Sequence, residues 1–165
     1  MRVVLIRHGE ASDPRSSPDG SRYLTAHGRA LSREVARALS RRGIAPTVIY
    51  TSPLVRAVQT AEIVAHELGH ADAILVHDQL VPGAPTGPAL SVLDHHEATE
   101  IVALVSHEPT LSALAGHLSG HGAMFPGFRT SGAAVIDVDE DGAGTLVGRL
   151  DPSTLQWRDA DDLGP

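Results

Sequence analysis

Two histidines and two arginines stand where this chain could perform phosphoryl chemistry. Arg7 and His8 follow one apolar run, His107 follows another, and Arg56 lies four residues after Ser52. A neutral imidazole is a nucleophile, and guanidinium groups bind phosphate oxygens in pairs. If the fold brings these groups together, they form a pocket for a dianion, most naturally a phosphoryl group.

Both histidines follow predicted buried strands. The runs over 3–6 and 101–105 are apolar and β-branched without a helical period, which is typical of strands buried on both faces. In open α/β folds, ligands bind at the carboxyl ends of parallel strands. Because neighbouring parallel strands lie about 4.8 Å apart, His8 and His107 can face one point if their strands are adjacent.

Arg56 is predicted to lie in the first turn of a helix. Ser52 and Pro53 are typical of a helix start, with Ser as the N-cap and Pro at the first helical position, and Gly69 is predicted to end the helix. Helix N-termini attract anions. The helix dipole disfavours an arginine there, so its presence weakly indicates an anion that compensates it.

The remaining segments predict alternating strands and helices. Thr25 is predicted to cap a helix that ends at Gly43. A polar loop is predicted to form a rim or flap over the site, and the tail after Asp151 is predicted to be peripheral. The loop spans 12–21, further strands 47–51 and 73–77, further helices 89–96 and 109–118, and a hairpin 133–138 and 145–150. This order predicts an α/β fold: a three-layer α/β/α sandwich with a mainly parallel sheet and an antiparallel C-terminal hairpin at its edge. The length favours a single domain over 1–165.

Composition excludes several classes of function. The formal net charge of −7 disfavours binding to nucleic acid or to anionic membranes. Cysteine is absent, so the chain has neither a disulfide framework nor a thiol nucleophile. The N-terminal apolar run is too short for a signal peptide or a membrane span, which predicts a cytoplasmic protein. All 13 basic residues are arginine, which favours bidentate contacts to an anion.

Four sequence blocks, in order, resemble the histidine phosphatase superfamily, whose fold is phosphoglycerate-mutase-like. The blocks are 7–9 (RHG), 24–28 (LTAHG), 52–61 (SPLVRAVQTA) and 105–109 (VSHEP). The chain is most similar to the small bacterial phosphohistidine phosphatases of the SixA type, which lack the inserts of the mutases. Residues 124–135 and the hairpin resemble their C-terminal region, although 126–129 (PGFR) stand where that family has fewer residues.

The resemblance implies roles for individual residues. His8 would be the nucleophile that forms a phosphohistidine intermediate, which water then hydrolyses. Arg7, Arg56 and His107 would bind the phosphoryl oxygens, and Arg22 would be a further phosphate-binding residue. The resemblance implies no cofactor and no metal.

The substrate is predicted from a missing general acid. The mutases and many relatives place a glutamate after the third strand, but 80–85 (LVPGAP) contain no carboxylate. General acid catalysis is worth about 10²–10⁴-fold for an alkoxide leaving group, whereas a phosphorylated imidazole can leave already protonated. We therefore expect a phosphorylated histidine-containing signalling protein, such as a histidine phosphotransfer domain, as substrate.

Glu108, beside His107, keeps an alternative open. As a candidate proton donor it would support a small-molecule phosphomonoesterase of the same superfamily. Its other interpretation is a carboxylate that the N-terminus of the following helix favours.

Two further classes of function are less favoured. His66 and His70 fit the zinc-protease pattern H-E-x-x-H, which needs both histidines on one face of a continuous helix. Gly69 is predicted to end that helix and to leave His70 outside it. A phosphate-binding module without turnover is disfavoured because both imidazoles and both principal arginines are present.

Overall fold

A seven-stranded sheet forms the centre of the computed structural model, which describes residues 1–163. The strands lie in the order β3-β2-β4-β1-β5-β6-β7. The first four strands in that order run parallel to one another, and each of the last three runs antiparallel to the strand before it. The strands are β1 (Arg2–Arg7), β2 (Val48–Thr51), β3 (Leu75–Val76), β4 (Ile101–Ser106), β5 (Ala133–Val138), β6 (Gly144–Asp151) and β7 (Gln156–Asp159).

Helices cover both faces of the sheet. They are α1 (Ala26–Ser40), α2 (Val55–Leu68), α3 (Thr86–Leu90) and α4 (Thr110–Leu118). Alternate residues of each buried strand face opposite layers. One core joins Val4 and Ile6 of β1 to α1 and α2, and the other joins Val3 and Leu5 to α3 and α4. The predicted three-layer α/β/α sandwich is confirmed.

The two predicted central strands are adjacent and parallel. Leu5 pairs with Leu104 and Arg7 with Ser106, so β1 and β4 end level with each other. His8 and His107 therefore follow at the same edge of the sheet. This edge is the one at which an α/β fold binds ligands.

Several predicted boundaries differ from the structure. Ser52 is not the cap of α2, because the helix begins at Val55 with Leu54 as its N-cap. The third strand has only two residues, both exposed. The helix predicted over 89–96 begins at Thr86 and continues as a 3₁₀ turn over Ser91–Leu93, because proline at 88 is tolerated in a first helical turn. The N-cap at Thr25 and the helix end at Gly69 are confirmed.

The C-terminal tail contains a strand that the sequence prediction missed. β7 pairs antiparallel with β6 and extends the hairpin by one strand at the sheet edge. Trp157 packs so closely on Gly148 that a Cβ atom there would lie 2.6 Å from the indole ring. The Arg42 guanidinium lies over the Trp157 ring, 4.4 Å from its centroid. The segment Gln156–Asp159, predicted to be peripheral, is therefore part of the sheet edge.

Among residues 1–163, no helix combines the length and the apolar character that crossing a membrane requires.

Candidate active site

The geometry of His8 leaves one ring nitrogen available for attack. Its Nδ1 lies 2.7 Å from the carbonyl oxygen of Gly9. Because a carbonyl can only accept, Nδ1 carries the proton and Nε2 keeps its lone pair. Burial is the main cause that lowers the pKa of His8 to about 4. The Gly9 hydrogen bond opposes this shift, and the charges of Arg56 and Arg7 reinforce it. The ring is therefore neutral and nucleophilic at pH 7.

His107 lies beside His8, with 4.8 Å between the ring centroids. Its Nε2 is 2.8 Å from the hydroxyl of Ser52, which also accepts the Leu54 N–H at 3.4 Å. We assign the Ser52 hydroxyl as the donor to His107 Nε2, which places the ring proton on Nδ1. Burial, followed by the proximity of the His8 ring and the positive charge of Arg56, lowers the pKa of His107 to about 3. His107 is thus a neutral N–H donor at the sheet edge.

Arg56 is held by a residue that the sequence prediction missed. Its guanidinium, in a side chain only 4% exposed, donates to the Asp19 carbonyl at 2.7 Å and to Asp19 Oδ2 at 3.2 Å. Asp19 Oδ1 also accepts from Arg22 at 3.4 Å, and Arg22 donates to the Ser12 carbonyl at 2.8 Å. The predicted flap over 12–21 therefore reaches the site and orients two arginines.

The carboxyl of Asp19 is charged in this arrangement. Partial burial opposes ionisation, but hydrogen bonds and charges from Arg56 and Arg22 together hold the pKa of Asp19 below its ordinary value. An Asp–x–x–Arg spacing within a polar loop is the only signal in the sequence, and it does not identify Arg56 as a partner.

Arg7 and Glu108 both contact the segment before β5. Arg7 Nη1 donates to the Phe128 carbonyl oxygen. Glu108 Oε1 accepts the Phe128 N–H, and Oε2 accepts the Ser112 hydroxyl at 2.7 Å. A carboxylate with both oxygens engaged as acceptors anchors this segment.

Backbone contacts fix the turn that carries His8. The Gly9 N–H donates to Thr60 Oγ1 at 3.0 Å, and the Thr60 hydroxyl donates to the Arg56 carbonyl at 2.7 Å. The His8 carbonyl accepts the Ser131 N–H at 3.0 Å. The end of β1 is thereby linked to the first turn of α2 and to the start of β5.

The structure brings all six predicted site residues to one cleft of about 400 Å³. They are Arg7, His8, Arg22, Arg56, His107 and Glu108. Three buried donors of this set have no hydrogen-bond partner within residues 1–163: Arg7 Nε, Arg56 Nε and His107 Nδ1. Buried donors are rarely left unpaired, and an oxyanion in the cleft is a suitable acceptor.

The zinc-protease pattern does not form a site. Gly69 adopts a left-handed conformation that ends α2, so His70 lies outside the helix. The His70 ring instead hydrogen-bonds to the Pro46 carbonyl at 3.1 Å. Within the described residues, no group of three or more histidines or carboxylates is arranged to hold a metal ion.

This chain is similar to known proteins in sequence and in fold. A family model described as the histidine phosphatase superfamily (branch 1) matches residues 3–81. The phosphohistidine phosphatase SixA of Escherichia coli (strain K12) is 32% identical to this chain, over 97% of the chain and 99% of its own length. The mitochondrial serine/threonine-protein phosphatase Pgam5 of Drosophila virilis is 36% identical over 52% of this chain and 30% of its own length.

Two solved structures share the fold over nearly the whole chain. A structure of the protein histidine phosphatase SixA complexed with tungstate matches with a TM-score of 0.86 and 31% identity, covering 94% of this chain and 100% of that one. A putative phosphohistidine phosphatase SixA from Agrobacterium tumefaciens matches with a TM-score of 0.78 and 29% identity, covering 92% and 97%.

Proposed function

This chain belongs to the histidine phosphatase superfamily, and on that premise we propose that it is a phosphohistidine phosphatase acting on a phosphorylated protein. The observation that carries the proposal is His8: a neutral imidazole with a free Nε2, beside a second imidazole and buried guanidinium groups. The similarity to SixA over nearly the full length supports the choice of substrate class. A histidine phosphotransfer domain is the kind of partner this implies.

The first chemical step transfers the phosphoryl group to His8. The Nε2 lone pair attacks phosphorus in line, a P–N bond forms to His8, and the P–N bond of the substrate breaks. The substrate imidazole reacts with a proton on the ring nitrogen that does not carry phosphorus, so it leaves as a neutral imidazole and the enzyme need not supply a proton. The Gly9 carbonyl accepts from Nδ1 throughout and stabilises the positive charge that develops on the ring.

The second step hydrolyses the intermediate. Water attacks phosphorus, the P–N bond to His8 breaks, and orthophosphate leaves while His8 returns to its neutral form. Arg7, Arg22 and Arg56, with the N–H of His107, bind the phosphoryl oxygens in both steps. Fixed cationic and N–H donors stabilise the charge on these oxygens in each transition state.

The carboxylates of the cleft favour a P–N substrate over an ester. Glu108 accepts two hydrogen bonds, Asp19 is paired with two arginines, and Glu10 accepts the Thr25 hydroxyl at 2.7 Å. None of the three is positioned as a free carboxylic acid. The alternative of a phosphomonoesterase using Glu108 is therefore less favoured.

The test compares a phosphorylated histidine phosphotransfer domain with simple phosphate esters, using the wild type and His8→Ala. We expect the phosphoprotein to be turned over much faster than the esters, and His8→Ala to abolish turnover and the acid-labile phosphoryl-enzyme. Faster hydrolysis of esters that is lost in Glu108→Gln would overturn the substrate assignment and support the alternative. Activity without a phosphoryl group on His8 would overturn the mechanism.

A further inference from the structure

A second cluster of arginines lies at the same sheet edge as the cleft. Arg129, Arg149 and Arg158 line a separate cavity of about 170 Å³, which is walled by Gly127, Gly132 and Pro152. The cleft itself is bounded by the neighbouring residue, Thr130. The segment 127–132 therefore separates two basic pockets.

The strand register places this cluster beside the phosphoryl site. Leu5 pairs with Ala134, Ala134 with Arg149, and Arg149 with Arg158. Residues paired in this way point to one face of a sheet, and Arg7 shares that face with Leu5. At about 4.8 Å per strand, Arg149 is about 10 Å and Arg158 about 14 Å from β1 along this row.

Arg149 is fixed in position before any ligand binds. Its guanidinium lies over the rings of Phe125 and Phe128, at 4.9 and 5.0 Å from their centroids, and Nη2 donates to the Gly127 carbonyl at 2.8 Å. Phe125 and Phe128 stack on each other with their centroids 5.6 Å apart. The charge is therefore presented by a rigid support.

Arg129 and Arg158 are exposed and have no side-chain hydrogen bond or ion pair with residues 1–161. One carboxylate, Asp151, also lines the cavity, and its Oδ1 accepts from the backbone and hydroxyl of Ser153 at 2.8 and 2.6 Å. The nearby Glu108 carboxylate also acts on Arg149, so two negative charges face three positive charges. In a chain of net charge −7, such a local excess of positive charge selects for an anion.

We propose that this cavity is a docking site for a carboxylate on the surface of the phosphorylated protein substrate, bound while the phosphoryl group lies in the cleft. The inference rests on the proposed function. Because Arg149 and Arg158 lie only about 10–14 Å from β1 along the sheet, one protein partner is wide enough to reach both the cleft and the cavity. The net negative charge of the molecule repels an acidic partner elsewhere, so the arginine-lined edge also orients the encounter.

The experiment compares the double variant Arg129→Ala/Arg158→Ala with a matched control, Arg33→Ala/Arg41→Ala, which removes the same charge from α1 and its C-cap. The probes are a phosphorylated histidine phosphotransfer domain and phosphoramidate, a small P–N compound without a carboxylate. We expect the KM for the phosphoprotein to rise about fivefold in the first variant, the size expected for two exposed ion pairs. The difference should vanish at about 0.5 M salt, where exposed charges are screened.

Three outcomes overturn the docking site. They are equal KM values for the two double variants, an effect that does not depend on salt, and a parallel loss of activity on phosphoramidate. Failure of the wild type to dephosphorylate the phosphoprotein overturns the proposed function instead, and this result is visible without either variant.

Discussion

Two neutral imidazoles in contact are stable at this site because each has one nitrogen committed to a hydrogen bond. The Gly9 carbonyl assigns the proton of His8 to Nδ1, and Ser52 assigns the proton of His107 to Nδ1. The two rings thus have opposite roles: His8 presents a lone pair and His107 presents an N–H. The proposed mechanism requires both tautomers, and the residues that select them lie outside the proposed phosphoryl-binding set.

Replacing Ser52 by Ala should reduce kcat/KM about tenfold, because a hydrogen bond of this kind is worth about 1–1.5 kcal/mol. The variant leaves His107 Nε2 without a donor and lets the ring exchange tautomers. Nitrogen NMR of the His107 ring should show a proton on Nδ1 in the wild type and a mixture in the variant. The exposed residue Ser40, replaced by Ala, is the control, and an unchanged His107 spectrum in Ser52→Ala would contradict the assignment.

The pKa of His8 can be measured directly. We expect an NMR titration of the His8 ring to give a pKa of about 4, because burial and the neighbouring Arg56 and Arg7 charges disfavour the protonated form. The nucleophile then remains unprotonated, and kcat/KM stays level as pH falls from 7.5 to about 5.5, where an ordinary histidine of pKa about 6.5 is mostly protonated. A His8 pKa near 6.5 would contradict this prediction.

Close packing between the first turn of α1 and the turn after β1 holds the site in place. A Cβ atom at Gly28 would lie 2.1 Å from the Glu10 carbonyl oxygen. Thr25 and Glu10 are also joined, through a backbone and a side-chain hydrogen bond. Glycine is needed here because the two backbones touch. The turn that follows His8 is therefore held by α1 as well as by its own strand.

Gly28→Ala should therefore lower both stability and activity. Because the obstructing atoms are backbone, we expect a loss of about 1–3 kcal/mol in the free energy of unfolding. Gly87→Ala is the matched control: a Cβ atom there meets nothing within 4 Å, and the change should be neutral or slightly stabilising. Chemical denaturation of both variants is the measurement, and equal stabilities would contradict the prediction.

Sequence patterns predicted the buried strands and the helix caps that depend on local residues. The central strands and the Thr25 cap are encoded within a few residues, and the structure confirms them. The local pattern predicts Ser52 as a helix cap, since nothing near it in sequence indicates its actual partner, His107, which is 55 residues away. Asp19 was missed since its pairing with Arg56 spans 37 residues. β7 is short and polar, and only its pairing with β6 makes it a strand.

At the scale of the molecule, the site is a source of pH-dependent instability. The folded protein keeps His8 and His107 unprotonated to pKa values of about 4 and 3, whereas unfolded histidines bind protons below about 6.5. The unfolded state therefore binds more protons as pH falls from about 6.5 to 4, and stability is lost across that window.

Urea denaturation between pH 7.5 and 4.5 should show this loss, with a steeper decrease below pH 6.5. The variant His8→Asn removes one of the two groups and should give a shallower dependence on pH, since fewer protons distinguish the two states. A slope that is equal in the wild type and in His8→Asn would contradict the assignment to His8.

The indole of Trp157, the single tryptophan of the chain, offers an optical view of the sheet edge. Since it contacts Gly148 and the Arg42 guanidinium, it should change its emission when β7 separates from β6. Short, exposed edge elements open with less free energy than central strands. A fluorescence change is thus expected at lower denaturant concentrations than the loss of turnover. One sample then distinguishes the separation of β7 from the unfolding of the central strands.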